Sequence, residues 1–324
     1  MRGMPTGSTD ADLIPRGPTE RVLVTGATGF IARHAVKALE RRGHPVIATV
    51  RQPINTTRSN VIAVGDIGPD TQWGRALDGV DAVVHLAGRV HVLRERAPDP
   101  LTEFRRVNVE GTARLVAAAQ RAGIRTFVFV SSIGVVAAHS ESQLDESAPC
   151  RPATPYAISK LEAEAAVMAA STVRTIILRP PLVYGAGAPG NFDTLLRAIR
   201  NGWVLPFGAV RNRRSFMYVG NLADAIAHVV DDSRAVGVYH VADSMAVSTC
   251  EFIRLIAAAV GVRARLLPVP VALLRAAGQM VGLGDTMEKL IASLVIDSRR
   301  VHRDTGWEPP WSLERAMPVS TATP

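Results

Sequence analysis

Arg21-Val-Leu-Val-Thr25-Gly26-Ala-Thr-Gly29-Phe30-Ile31-Ala32 is a short apolar run, a glycine turn and the opening of a helical stretch that continues to Arg42. A strand passing through a glycine turn into a helix is the setting that a dinucleotide fingerprint requires. Gly26 permits the tight turn, and Gly29 lets the backbone approach a pyrophosphate. The helix N-terminus near Gly29 offers free N–H groups and the positive end of a dipole to those phosphates. Ala32 stands at the third small position and still allows close packing of helix on strand.

The same alternation continues along the chain. Apolar runs at Val22–Thr25, Val46–Val50, Val61–Val64, Ala82–His85, Thr126–Val130 and Thr175–Leu178 are separated by helical patterns such as Leu101–Ala122. Strands alternating with helices predict an α/β fold with a doubly wound parallel Rossmann sheet and a ligand crevice at the carboxyl ends of the strands. Leu86-Ala87-Gly88 and Ser131-Ser132 immediately follow such strands and therefore face the crevice. Tyr184–Asn191 marks where the chain leaves the sheet, and Val236–Ala242 returns one more strand to it. The expected organisation is a disordered tail at 1–19, a dinucleotide-binding unit at 20–183 completed by about 215–243, and a smaller, mostly helical substrate-binding region at 184–214 and 244–318.

Lysine occurs only at Lys37, Lys160 and Lys289, and Lys160 falls four residues after Tyr156 in Thr154-Pro-Tyr-Ala-Ile-Ser-Lys160. With so few of either residue, a chance Tyr-x-x-x-Lys arises at roughly the 4% level, so the match outweighs an ordinary short motif. Thr154 suits an N-cap and Pro155 the first helical position, which puts Tyr156 and Lys160 one turn apart on one helix face. An ammonium there is expected to lower the phenol from about 10 toward neutrality, making Tyr156 a candidate general acid/base.

Composition narrows the classes. The chain has 324 residues, 47% hydrophobic, and a net charge of +8. Its arginines are dispersed, without an aromatic-basic RNA motif or a DNA-binding helix pair, so nucleic acid is not expected as a partner. Cys150 and Cys250 cannot make a metal-ligand cluster, so no metal is expected, and the chain reads as cytoplasmic. Residues 1–19 read as a tail, with Leu13-Ile-Pro-Arg-Gly17 resembling a linker or cleavage scar. Leu266–Gly284 is too short and interrupted to span a bilayer and reads as a buried or interface helix. A homodimer is compatible with the sequence.

Together with Asp66-Ile67, His85-Leu-Ala-Gly88, Val107-Asn-Val-Glu-Gly-Thr112, Arg179-Pro-Pro-Leu-Val-Tyr-Gly185 and Arg214-Ser-Phe-Met-Tyr-Val219, these motifs resemble the extended branch of the short-chain dehydrogenase/reductase superfamily, which holds the nucleotide-sugar epimerases. The resemblance runs from about Arg21 to about Ala316. It implies Tyr156, Lys160 and Ser132 as catalytic residues, with Ser131 the competing serine because a one-residue slip exchanges crevice and core. It implies a cofactor site from Gly26, Thr28, Gly29, Phe30, Ile31, Arg51, Asp66, Ile67, Leu86, Ala87, Gly88, Asn108, Ser131, Tyr156 and Lys160. Asn108 would support the active-site helix. Ser132, Asn191, Phe192 and Arg214 would contact substrate, Arg214 by clamping a diphosphate as part of Arg211-Asn-Arg-Arg214. His85 reads as a satisfied core histidine, and Asp145 and Glu146 as solvated.

Relatives of the epimerase type usually end the second strand in an aspartate; this chain has Val50-Arg51. An arginine neutralises a 2′-phosphate, so NADP is favoured over NAD, although Arg51 stacked on adenine or facing solvent is the competing reading. The expected activity is hydride transfer at C4 of a nucleotide-linked hexose, UDP favoured. Net 4-keto reduction of a UDP-(deoxy-amino)sugar in polysaccharide formation comes first, and an NAD-retaining 4-epimerase is the alternative. A small-ketone reductase of the dihydroflavonol reductase type and a non-catalytic dinucleotide-sensing module stand further off; Arg214 and Asn191 argue against the former, Tyr156 and Lys160 against the latter.

Overall fold

A computed structural model describes residues 19–54, 60–90 and 98–322. The expected tail lies outside the described residues except for Thr19. The strands in chain order are β1 (Val22–Thr25), β2 (Val46–Val50), β3 (Val61–Ala63), β4 (Ala82–His85), β5 (Thr126–Val130), β6 (Gln143–Leu144), β7 (Arg174–Arg179), β8 (Leu182–Tyr184), β9 (Phe216–Tyr218), β10 (Gly237–His240) and β11 (Val295–Ile296). Seven of them form one sheet in the order β10-β7-β5-β4-β1-β2-β3. Every pairing in it is parallel.

Burial on both faces explains why these strands read as unbroken apolar runs: β1, β4 and β5 are buried at every position. The order reverses between β1 and β4, so the connections leaving their carboxyl ends run in opposite directions and leave a crevice there. The register aligns Thr25 with His85 and His85 with Phe129, fixing one row of side chains beneath that crevice.

The helices used below are α1 (Phe30–Arg41), α2 (Gly74–Leu77), α3 (Pro100–Phe104), α4 (Gly111–Arg121), α5 (Pro155–Met168), α6 (Asn191–Arg200), α7 (Val219–Asp231), α8 (Thr249–Ala259), α9 (Val271–Met280) and α10 (Gly284–Ile291). Helix α1 buries Ala32, Ala35, Val36 and Leu39, the i, i+3, i+4, i+7 stripe of an amphipathic helix, in one core with Leu222, Ile226 and Val229 of α7. Each large aliphatic side chain buried there contributes about 1.5–3 kcal/mol. A second core, around Tyr184, Phe192, Phe216 and Phe252, joins α6 and α8 to the two-stranded pair β8–β9.

Three local readings need correction. The stretch expected as one helix, Leu101–Ala122, contains a π-helical turn at Arg105–Glu110 between α3 and α4. Glu146 is not solvated: it is half-buried and accepts the His240 backbone N–H at 2.7 Å. Leu266–Gly284 is not one helix: it holds α9 at Val271–Met280, of which only Leu274 and Gly278 are buried, and ends at the first residue of α10. Among the described residues no helix is long and apolar enough to cross a membrane.

The α1–α7 contact ends in a charged clasp. His44 bonds the Glu20 carbonyl through Nδ1 at 3.0 Å and the Asp231 carboxylate through Nε2 at 2.6 Å. Both partners are acceptors, so both bonds are made together only when the ring is an imidazolium. The Asp231 hydrogen bond raises its pKa against the opposing effect of burial. Arg42 joins Asp231 to Asp224, and Asp224 accepts from the Trp307 indole. Because the folded pKa is raised, this stabilisation is full below the unfolded value of about 6.5 and is lost as pH rises through the folded value. Thermal melts should therefore show His44→Gln costing about 2 kcal/mol, roughly 4 °C, near pH 6 and distinctly less near pH 9. An equal loss at both pH values would show that the ring is neutral.

Candidate active site

The glycine turn is held by contact across the crevice. Gly26 has φ +68°, and a Cβ there would lie 2.9 Å from the Ala87 Cα, so β1 and β4 can approach this closely only with glycine at 26. Gly29 is the extended N-cap of α1 and gives that helix no side-chain cap; its first turn carries no acidic residue. Those uncapped N–H groups fit a diphosphate. Thr28 and Gly29 are exposed, and Phe30 and Ile31 are half-buried at the helix start. Gly185, which follows β8, comes close enough that a Cβ on it would lie 3.4 Å from the Phe30 ring.

Beneath the turn the Thr25 hydroxyl accepts the Leu86 and Ala87 N–H groups, both at 3.1 Å. Its own proton is therefore directed to His85 Nδ1 at 2.7 Å, which places the histidine proton on Nε2, facing the Thr112 hydroxyl at 3.0 Å. Burial, with the charge of Lys160 adding to it, lowers His85 to about 3, so the ring is neutral. His85 is thus a satisfied core histidine. Gly88, at the open end of this loop, is exposed.

Helix α5 starts as its sequence dictates: the Thr154 hydroxyl accepts from Ala157 N and Pro155 occupies the first turn. Tyr156 is half-buried, its ring edge-on to Phe104. Lys160 is buried; its Nζ donates to the Val130 carbonyl at 2.7 Å and lies 3.8 Å above the Phe129 ring. Desolvation lowers Lys160 to about 7 and pushes the Tyr156 phenol up to about 12. The expected depression of the phenol is therefore not present here. The ammonium is engaged by Val130 and Phe129, leaving desolvation to dominate at Tyr156.

Asn108 sits in the π-helical turn, and its amide closes a pair of bonds with the Arg89 backbone while donating to Ser159 Oγ at 3.0 Å. Ser159 donates in turn to the Tyr156 carbonyl at 2.8 Å. Asn108 supports α5 through this serine, with its backbone bonds going to the loop after β4. Below Lys160, the buried Glu164 receives both arms of Arg179 at 3.0 and 2.6 Å. Ser159, Arg89, Glu164 and Thr25 were not singled out from the sequence; Glu164, an acid one turn beyond Lys160, was the available signal.

At the end of β5, Ser132 is half-exposed and caps a short 3-10 turn by accepting from Gly134 N at 3.1 Å. A Cβ on Gly134 would lie 3.3 Å from Ser132 Oγ and 3.8 Å from the Ala157 Cβ, so the serine and the first turn of α5 face one another across this glycine. Ser131 is buried, and its hydroxyl has no hydrogen-bond partner among the described residues. At the far end of the crevice Arg51 and Asp66, both exposed, form an ion pair at 3.0 Å. Ile67 is pressed against α4, where only Gly111 leaves it room.

The expected substrate residues separate. Arg214 is half-buried in bridges to Val247 and Leu294, donates to the Ala292 carbonyl at 2.8 Å, and is lowered to about 10 by desolvation. Among the described residues it forms no ion pair and no hydrogen bond to Asn191. Asn191 is exposed at the start of α6, whereas the Phe192 ring is buried against Tyr184 and Phe252. Phe192 is corrected to a core residue, because a ring in that helix position points into the second core. Of the Arg211–Arg214 cluster, Arg211 bonds the carbonyl of Gly208 and Asn212 is buried against Thr249, Leu290 and Ala292.

Residues 22–242 match the NAD dependent epimerase/dehydratase family model. The chain is 34% identical over 310 residues to a UDP-glucose 4-epimerase of Vibrio cholerae, covering 91% of this chain and 93% of the relative. In structure it is similar to MoeE5 in complex with UDP-glucose and NAD, at TM-score 0.74 and 26% identity over 93% of this chain and 97% of the other. It also shares its fold with a human epimerase family protein, SDR39U1, in complex with NADPH, at TM-score 0.74 and 24% identity over 93% and 99% of the two chains. With a seven-stranded parallel sheet, a glycine turn at the β1–β4 crevice and this match across most of its length, the chain belongs to the NAD-dependent epimerase/dehydratase family of extended short-chain dehydrogenases/reductases.

Proposed function

We propose that this protein moves hydride at C4 of a UDP-linked hexose, with Tyr156 as the proton-transfer residue. The reading is supported by Tyr156, half-buried at the start of α5, with the buried Lys160 one helical turn further on and the first turn of that helix, at Ala157, facing Ser132 Oγ across Gly134. NAD(P), when bound, supplies the hydride acceptor or donor. Gly26, Thr28, Gly29, Phe30 and Ile31 would hold its diphosphate; Arg51, Asp66 and Ile67 its adenosine end. Leu86, Ala87 and Gly88 would line the middle, above Asn108 and Ser131, and Tyr156 and Lys160 the nicotinamide end.

Ser132 would bond the sugar oxygen and hold it beside Tyr156. A phenol pushed up to about 12 is a proton donor, the role that reduction of a 4-keto group requires. In the oxidative direction the phenol must lose its proton, and Lys160, when charged, would favour the phenolate. Arg214, desolvated and without a carboxylate, would meet the diphosphate, and Asn191 the same ligand from α6.

Two net reactions fit. The identity to a UDP-glucose 4-epimerase over 91% of the chain supports 4-epimerisation with retained NAD. Arg51 supports NADP and net reduction of a UDP-4-keto-(deoxy-amino)sugar. Incubation with UDP-glucose, and separately with UDP-4-keto-2-acetamido-2,6-dideoxyglucose plus NADPH, distinguishes them by C4 inversion or by loss of NADPH absorbance.

Tyr156→Phe should lower kcat about 10²–10⁴-fold on the identified substrate while leaving dinucleotide affinity nearly unchanged. More than half of wild-type activity would remove Tyr156 from the chemistry. Fluorescence titration should show NADPH bound about ten-fold or more tightly than NADH, with Arg51→Asp erasing the preference and Asp66→Asn, which frees Arg51, enlarging it. Equal wild-type affinities would favour the NAD-retaining epimerase. Arg214→Ala should raise KM strongly and weaken competitive inhibition by UDP, with Arg211→Ala as the surface control. UDP inhibition unchanged by Arg214→Ala would redirect the reading to a small ketone.

A further inference from the structure

Tyr156, Lys160 and Glu164 follow one another at intervals of four residues along α5, so each neighbours the next across one helical turn. Lys160 and Glu164 are 6% and 3% exposed. The Glu164 carboxylate is held by Arg179, itself buried at the end of β7, whose Nε and Nη2 donate to Oε1 and Oε2 at 3.0 and 2.6 Å. Both oxygens accept from one guanidinium, the geometry of a carboxylate anion. Replacing such a buried pair by apolar residues of like volume is often neutral or stabilising, so stability alone does not account for it. A buried charge one turn from a reactive group is a candidate for tuning that group.

The other groups around Lys160 are neutral or committed elsewhere. Its Nζ donates to the Val130 carbonyl at 2.7 Å and lies 3.8 Å above the Phe129 ring, and neither partner carries a formal charge. His85, on β4, is neutral, and the Tyr156 phenol, pushed up to about 12, is neutral as well. Arg179 of β7 is paired with Glu164, and the exposed Arg105 and Arg106 of the π turn pair with Glu162 and Glu103. Desolvation lowers Lys160, and of the charges around it Glu164 acts the other way. A carboxylate one turn away favours the ammonium over the neutral amine.

We propose that Glu164, held in place by Arg179, is a positioning residue that keeps Lys160 in its charged form by serving as its buried counter-charge. The consequence for catalysis rests on the roles of Tyr156 and Lys160 proposed above; the protonation of Lys160 is read without them. Lys37, Lys160 and Lys289 are the only lysines, so the full chain labelled with carbon-13 at lysine Cε gives three resonances, assigned with Lys37→Arg and Lys289→Arg. The Lys160 signal should titrate at about 7, and in Glu164→Gln its midpoint should fall by about one pH unit or more. Glu164→Leu combined with Arg179→Leu removes the pair without leaving a buried charge unanswered, so it should fold where Glu164→Gln does not, and it should show the same fall. An unchanged midpoint in the folded variants would overturn the proposal. A rise would overturn it equally, because water reaching the ammonium raises the midpoint and would mark Glu164 as a packing residue. On the identified substrate, the high-pH limb of the oxidative rate should move down by the same interval as the midpoint. A midpoint that falls while that limb stays in place would leave Glu164 as the counter-charge and remove Lys160 from the proton transfer, a failure of the function proposed above and not of this inference.

Discussion

A lysine buried in the core, its ammonium lowered to about 7 by desolvation, is the constraint around which this site is arranged. Lys160 is 6% exposed, and an isolated charge at such depth would cost several kcal/mol unless its surroundings answered it. The Val130 carbonyl accepts one N–H, and the Phe129 ring offers its negative face. Glu164, one turn along α5, adds a favourable field and is itself answered by Arg179. His85, stacked on Phe129, is kept neutral by its burial, with the Lys160 charge adding to that effect. The Thr25 hydroxyl fixes the tautomer that allows this, and Thr25 also ties the ends of β1 and β4 into the crevice wall. The charge in α5 and the glycine turn in β1 are therefore parts of one polar arrangement.

Asn108 links that arrangement to the loop after β4. An α-helix running unbroken from Pro100 to Arg121 would carry this side chain at a different angle; the wider π turn at Arg105–Glu110 changes the phase of the helix where the asparagine meets Arg89 and Ser159. Gly111 follows at once, and its missing Cβ makes room for Ile67. A local irregularity in one helix thus sets the distance between the loop after β4 and the helix that bears Tyr156.

The sheet was legible because parallel strands buried on both faces are written as plain apolar runs; the predicted and observed ends of β1, β2, β4 and β5 coincide. The start of α5 was legible for a different reason, since Thr154 and Pro155 act through local geometry alone. What could not be read depended on contacts distant in sequence. Nothing near Glu146 announces that it will accept from His240, and nothing near Phe192 says whether its ring turns to the crevice or to Phe252. The phenol of Tyr156 was expected to fall in pKa because spacing gives proximity to Lys160; spacing does not reveal that Val130 and Phe129 hold the ammonium. The π turn has no composition of its own and was read as ordinary helix.

The two halves of the crevice differ in how firmly they are specified, and this bears on which reaction the chain performs. Tyr156 and Lys160 are held by buried hydrogen bonds and a buried ion pair one turn away, contacts whose loss would leave unpaired groups and cost several kcal/mol. At the opposite end, Arg51 and Asp66 meet in an exposed pair, worth at most about 1 kcal/mol and readily exchanged for another partner. On the proposed reading proton transfer is built into the core, while Arg51 and Asp66 would be free to rearrange around either dinucleotide. Epimerisation and net reduction share the first of these and differ through the second, because an enzyme that retains its dinucleotide and one that exchanges it place opposite demands on that end of the crevice. If the proposed roles hold, a single exposed charge pair would bear on which of the two net reactions follows from the same tyrosine.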